Sequence, residues 1–171
     1  MIRDETQKRI LWGIVGVLLI GFLWGQSLRN RVIVLRESVA TSWTLVEIQM
    51  QRRMALIPSE YGAAGLVTKH DSAIIEDIAT SRIHYVRAKE TSQRVVAANQ
   101  LEVAFAKLTP KPLFKTFKSG LADVDAQLSI ERSRYNQDVT LYNETIIRAP
   151  FKYAAQFEQL IPLPVFGVEV L

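Results

Sequence analysis

Ile10-Leu-Trp-Gly-Ile-Val-Gly-Val-Leu-Leu-Ile-Gly-Phe-Leu-Trp-Gly25 is a run without a charge, and from its start to Ile57 there is no proline and no glycine beyond Gly25. A membrane-length apolar segment thus leads without a break into a second stretch in which Val32, Leu35, Val39, Trp43, Val46, Met50, Met54 and Ile57 recur at spacings of three and four. That spacing places them in one stripe of an amphipathic helix. At about 1.5 Å per residue the combined helix is roughly 70 Å long, with about its first third in a bilayer. The chain therefore reads as an anchored rod whose apolar stripe requires partner helices.

Within the run, Trp12 and Trp24 stand near the two ends, where indole rings favour the membrane interface. With Gln26 to Leu28 added, the segment reaches the lower end of the length that spans hydrocarbon. Residues 1–28 are assigned to an anchor and 29–171 to a helical domain. Gly21-x-x-x-Gly25 matches the small-residue spacing at which membrane helices approach closely, so self-association is one expectation. The alternative is a cleaved signal peptide with Arg3, Lys8 and Arg9 as its basic start. A helical pattern that runs in phase through the cleavage point favours retention. Basic residues flank the segment on both sides, Arg29, Arg31 and Arg36 following it, so charge bias assigns no orientation.

The 171 residues carry 21 Lys and Arg against 17 Asp and Glu. This spread excess gives a weak hint of anionic lipid and none of nucleic acid. There is no cysteine, which removes disulfides, thiolate nucleophiles and the cysteine of a processed lipoprotein.

Further along, Pro58 is expected to end or kink the first helix, and Gly62 to Gly65 to loosen the chain after it. Asp71 or Ser72 caps a second helix predicted to run to about Leu108, burying Ile74, Ile75, Ile78, Val86, Val95, Leu101 and Phe105. Thr109-Pro-Lys-Pro112 is the clearest turn. The best-patterned helix follows, with Phe117, Leu121, Val124, Leu128, Tyr135, Val139, Tyr142 and Ile146 on one face and Ala149-Pro150 as its stop. The fold class is all-α: a single N-terminal transmembrane helix continuing into a long antiparallel three- to four-helix bundle. Pro162, Pro164 and Gly167 exclude a second membrane helix from the apolar tail after Phe151, which is expected to pack along the bundle.

Reaction chemistry is not legible. His70 and His84 stand outside any Glu-x-x-His or His-x-x-x-His spacing. Glu37, Glu47, Asp77, Asp123 and Asp125 are interspersed with basic residues, as on solvated helix faces. No glycine-rich phosphate loop occurs, and no catalytic residue, metal or cofactor is assigned. Arg52-Arg53 lies roughly 40 Å along the helix from the span, where it either faces a partner or solvates the helix near its C-terminal dipole end. Tyr135-Asn136 and Tyr142-Asn143 repeat at seven residues. The tyrosines fall on the buried stripe with the amides beside them, suited to fixing bundle register by hydrogen bonds, or to a ligand site.

The order Asn30-Arg-Val-Ile-Val-Leu-Arg-Glu-Ser-Val-Ala-Thr-Ser-Trp43, Val46-Glu-Ile-Gln-Met-Gln-Arg-Arg53, Leu56-Ile-Pro58, Lys69-His-Asp71 and Arg132-Ser-Arg-Tyr-Asn136, then Val139, Tyr142-Asn143, Ile146 and Ala149-Pro150, resembles the LemA family. The resemblance implies a bacterial-type protein with one N-terminal membrane helix and an antiparallel helical domain, and it carries over no catalytic residues. It marks Trp43, Arg52, Arg53, Pro58, Tyr135, Asn136, Tyr142 and Asn143 as the positions that matter. The chain departs from the family pattern at Ser59-Glu60-Tyr61 and in a shortened corner between Leu108 and Phe117.

Three functional readings remain open. The first is a noncatalytic scaffold or interaction protein of the bacterial inner membrane, whose partners are lipid, further copies of itself or another envelope protein. The second is a small-ligand-binding or enzymatic bundle using Arg53, His70 and the Tyr-Asn pairs. The third is an oligomeric coat or lipid-remodelling protein.

Overall fold

In a computed structural model the chain is described over residues 2–63, 69–107 and 115–167, with side chains over 7–56, 73–107 and 121–167. The described residues form helices α1 (Ile2–Ala63), α2 (Lys69–Arg87), α3 (Thr91–Ala106), α4 (Lys115–Ile147) and α5 (Phe151–Phe157), and no strand. They divide into two compact units, one of residues 1–36 with 142–162 and the other of residues 37–141 with 163–171.

In the larger unit the cross-helix pairs set the directions. Along α1, Ser42, Trp43 and Arg53 meet Asp138, Tyr135 and Asp125 of α4. Partner numbers fall as α1 numbers rise, so the two helices are antiparallel. Glu47 and Arg53 meet Arg94 and Glu102 of α3, so α3 runs parallel to α1. Asp77 of α2 pairs with Lys107, immediately after α3, as in an antiparallel hairpin. The up-down-up-down order lets each helix bury one face. Val39, Trp43, Val46, Met50 and Met54 do so from α1; Ile74, Ile78 and Tyr85 from α2; Val95, Leu101 and Phe105 from α3; and Leu128, Tyr135 and Val139 from α4. Each such aliphatic side chain contributes about 1.5–3 kcal/mol.

Two predicted boundaries are corrected. The single helix expected to reach Leu108 is broken at Ala88 to Glu90, although no proline or glycine stands there. Glu90 is extended (φ −85°, ψ 144°), and the Ala88 carbonyl, orphaned by the end of α2, accepts a 3.0 Å bond from Arg94 Nε. Within α2 the buried face that carries Ile74 and Ile78 continues to Tyr85, and Val86, expected inside, is exposed. Pro58 does not end α1, which continues to Ala63. An interior proline costs a helix about 3 kcal/mol, and burial of Met50 and Met54 just upstream is large enough to offset it. The side chains of Pro58, Asp71 and Ser72, and the whole of the 109–112 turn, lie outside the described residues.

The smaller unit contains the apolar run. Eleven large apolar side chains between Ile10 and Trp24 are exposed, and α1 is, among the described residues, the one helix long and apolar enough to cross a membrane. Beyond the run, Leu28 is half-buried and Val32 fully buried. There Arg29 pairs with Glu158, and the Tyr142 hydroxyl donates to the Ile161 carbonyl at 3.1 Å. Helix α5 ends in a Schellman turn, with Leu160 N–H donating to Ala155 O (2.9 Å) and Gln159 N–H to Gln156 O (3.2 Å). Gln159 occupies the left-handed position (φ 53°) that glycine normally fills. Gln159→Gly relieves this conformation, and thermal unfolding in detergent is expected to show a gain of about 0.5–1 kcal/mol.

Candidate functional site

Trp43 is the centre of the larger unit. Its ring meets Tyr135 edge-on at 5.2 Å and Phe166 at 5.6 Å, with interplanar angles of 62° and 88°. Such contacts align the positive ring edge with a negative face. The indole N–H donates to Glu47 Oε1 at 2.9 Å, one turn along α1, and the same oxygen accepts from Arg94 Nη1 at 2.7 Å. Glu47 therefore joins α1 to α3 and is not the solvated carboxylate its neighbours suggest. The charge-assisted bond to Glu47 is the main reason the Arg94 guanidinium holds its proton more tightly than usual. The buried Tyr85 hydroxyl finds no hydrogen-bond partner among the described residues. Burial, then the nearby Glu47 charge, push its ionisation above the ordinary phenol range, against a smaller opposing effect of Arg94.

Around the aromatic cluster, two asparagines clasp an extended piece of the chain's own tail. Asn136 of α4 donates from Nδ2 to the Phe166 carbonyl (2.7 Å) and accepts at Oδ1 from the Phe166 N–H (2.8 Å). Asn99 of α3 likewise donates to the Val165 carbonyl (3.3 Å) and accepts from the Gly167 N–H (3.0 Å). Tyr135 adds a 2.8 Å bond from its hydroxyl to the Pro164 carbonyl. Each side-chain amide thus matches a donor and an acceptor of the tail backbone, as a neighbouring strand would. Phe166 is driven fully inside onto Trp43. Gly167 leaves with φ +141°, where any Cβ is strained although the nearest side-chain atom, Arg132 Cδ, would stand at an ordinary 3.6 Å.

The predicted positions separate into groups. Trp43, Tyr135 and Asn136 converge on the tail, and Asn136 reaches the tail backbone in place of another helix. Tyr142 bonds the chain at Ile161. Arg53 points into the bundle, with Nη1 2.6 Å from Glu102 Oε1, Nε 3.0 Å from Asp125 Oδ1 and its guanidinium 4.7 Å above the Phe105 ring. The Asp125 contact is one of charge, since neither atom is aligned for a hydrogen bond. Arg52 is exposed and contacts Gln49 at 3.5 Å. Asn143 is half-buried and engaged. The side chains of His70 and Pro58, and with them the expected grouping of Arg53 with His70, lie outside the described residues. His84 lines a shallow open groove of about 490 Å³ with Arg87, Ser92, Gln93, Gln100 and Pro164. Among the described residues no group of three or more His, Asp and Glu converges on a point that would hold a metal ion.

Glu47, Arg94, Asn99, Glu102, Asp138 and Phe166 were not singled out as site residues by sequence. A signal for Asn99 and Asn136 existed: asparagine is a poor helix former, so its presence mid-helix beside a buried stripe asks for a use.

The fold and this site define a class, an all-helical bundle closed by its own tail and preceded by an apolar helix. The chain belongs to the LemA family, whose model matches residues 42–170 and thus Trp43, Arg52, Arg53, Pro58 and both Tyr-Asn pairs. No curated protein matches it.

Phe166→Ala is expected to lower stability by about 3 kcal/mol, and Asn136→Ala by about 2 kcal/mol through the unpaired tail backbone, both read by chemical denaturation. A second expectation concerns alkaline pH. Burial raises the Tyr135 phenol above its ordinary value of 10.0. Below pH 10 folded and unfolded states are both protonated and the group adds no pH dependence. Above it the unfolded chain loses the proton first, so stability falls as pH rises. Tyr135→Phe makes that alkaline decline shallower.

Proposed function

We propose that this chain is a noncatalytic scaffold anchored in the bacterial inner membrane by a single pass of Ile10 to Leu28, presenting its helix faces to further copies of itself or to another envelope protein. The observation that carries this reading is how the polar groups between the helices are used. Asn99, Asn136 and Tyr135 direct their hydrogen bonds at the chain's own tail. Arg53 directs its charge at Glu102 and Asp125. These are the residues that a ligand-binding bundle would turn towards a cavity.

The anchor is supported by the same kind of accounting. Covering the eleven exposed apolar side chains between Ile10 and Trp24 is worth on the order of 20 kcal/mol. A bilayer supplies that cover along the whole circumference, and Trp12 and Trp24 suit its two interfaces. A second reading, a small-ligand binder, draws on the groove beside His84 and Arg87.

Extraction of the full-length protein from native membranes in mild detergent, followed by native mass spectrometry, tests the proposal. A complex of defined composition, either of this chain alone or with one other protein in fixed ratio, is the expected result. A monomer that carries a bound metabolite, and loses it on substitution of exposed His84 and Arg87 by alanine, overturns it in favour of the second reading.

A further inference from the structure

The segment that includes α5 has the composition of a membrane-surface element, and it is fixed to the first residue beyond the apolar run. Glu158 pairs with Arg29, which directly follows Leu28. On the same segment Tyr153 is 68% exposed, Phe157 81% and Ile161 67%, although the unit buries Val32, Ile146 and Ala155 close by in sequence. From Arg148 to Pro162 the only acidic residue is Glu158, neutralised by Arg29, while Lys152 is exposed and Arg148 pairs with Glu144 at 3.3 Å on the surface. Exposed apolar and aromatic side chains beside basic ones are the pattern of interfacial elements drawn to anionic headgroups.

We infer that residues 148–162 form a second membrane contact, with Tyr153, Phe157 and Ile161 seated at the headgroup boundary of the leaflet from which α1 emerges. The inference rests on the reading of Ile10 to Leu28 as a membrane span. One residue of helix rises about 1.5 Å, so Arg29 stands at headgroup level when Leu28 ends the span. Its ion pair then holds Glu158, and with it Phe157, at the same level. Seated there, these side chains gain the apolar cover they lack in water, and Lys152 meets lipid phosphates.

The absence of cysteine allows single-site spin labels in the full-length protein. Labels at Leu19→Cys, Phe157→Cys and Arg36→Cys are compared in vesicles of phosphatidylcholine and phosphatidylglycerol, reading accessibility to oxygen against a water-soluble nickel reagent. The expected result is a label deep in hydrocarbon at 19, one about 5–10 Å below the headgroup boundary at 157 and a water-exposed one at 36. A label at Tyr153→Cys is then expected to move out into water when Phe157→Glu is added, with helicity unchanged by circular dichroism. If position 19 is deep while 157 is as open to nickel as 36, the surface contact is overturned and the span stands. If 19 itself is open to nickel, the anchor fails and this inference with it. A Tyr153 label that does not move with Phe157→Glu also overturns it.

Discussion

The indole of Trp43 ties together three pieces of chain that are distant in sequence. Its ring edges and faces engage Tyr135 from α4 and Phe166 from the tail, and its N–H engages Glu47, which in turn holds Arg94 of α3. A smaller apolar residue at position 43 would leave a void among side chains that cannot close over it, since interiors relax only partly around lost volume. It would also leave the Glu47–Arg94 pair without the donor that orients the carboxylate. Packing, bonding and direction of the bundle therefore converge on one side chain.

Arg53 plays a comparable part further along α1 with charge in place of aromatic area. Its pairing with Glu102 places two opposite charges in a mostly covered setting, with both side chains about one-seventh exposed. Such pairs contribute less net stability than their short distance suggests, because desolvation offsets attraction. What they add is register: sliding α3 by one turn against α1 strands Glu102 and Arg53 apart, so a misaligned bundle carries unpaired charge.

Where the sequence was legible, one physical reason accounts for it. In the larger unit helices α1 and α4 each lay a single stripe against the core over several turns, so the period of Val39, Trp43, Val46 and Met50, and of Leu128, Tyr135 and Val139, could be counted. The split between α2 and α3 left no comparable mark, because no proline or glycine stands at Ala88 to Glu90 and the bond from Arg94 back to Ala88 forms only in the fold. The same holds for Arg53, whose partners lie 49 and 72 positions away and are paired only by folding. The tail was readable as apolar and as unsuited to a second span. That its backbone would find strand-like partners in two asparagine side chains was not, because neither residue type nor spacing specifies that use.

The clasp has a consequence for the order of events when the chain is made. Trp43 and Phe166 are 123 residues apart, and at synthesis rates of about 5–20 residues per second the second follows the first by roughly 6–25 s. Through that interval the α2–α3 hairpin can assemble from local contacts, while the indole, joined by the pairing groups of Asn99 and Asn136 once they are made, stands without its final occupant. The nascent bundle thus spends seconds with an unfilled aromatic slot, a period in which a chaperone, or the extended tail of a neighbouring nascent copy, competes with the chain's own Phe166 for the same place.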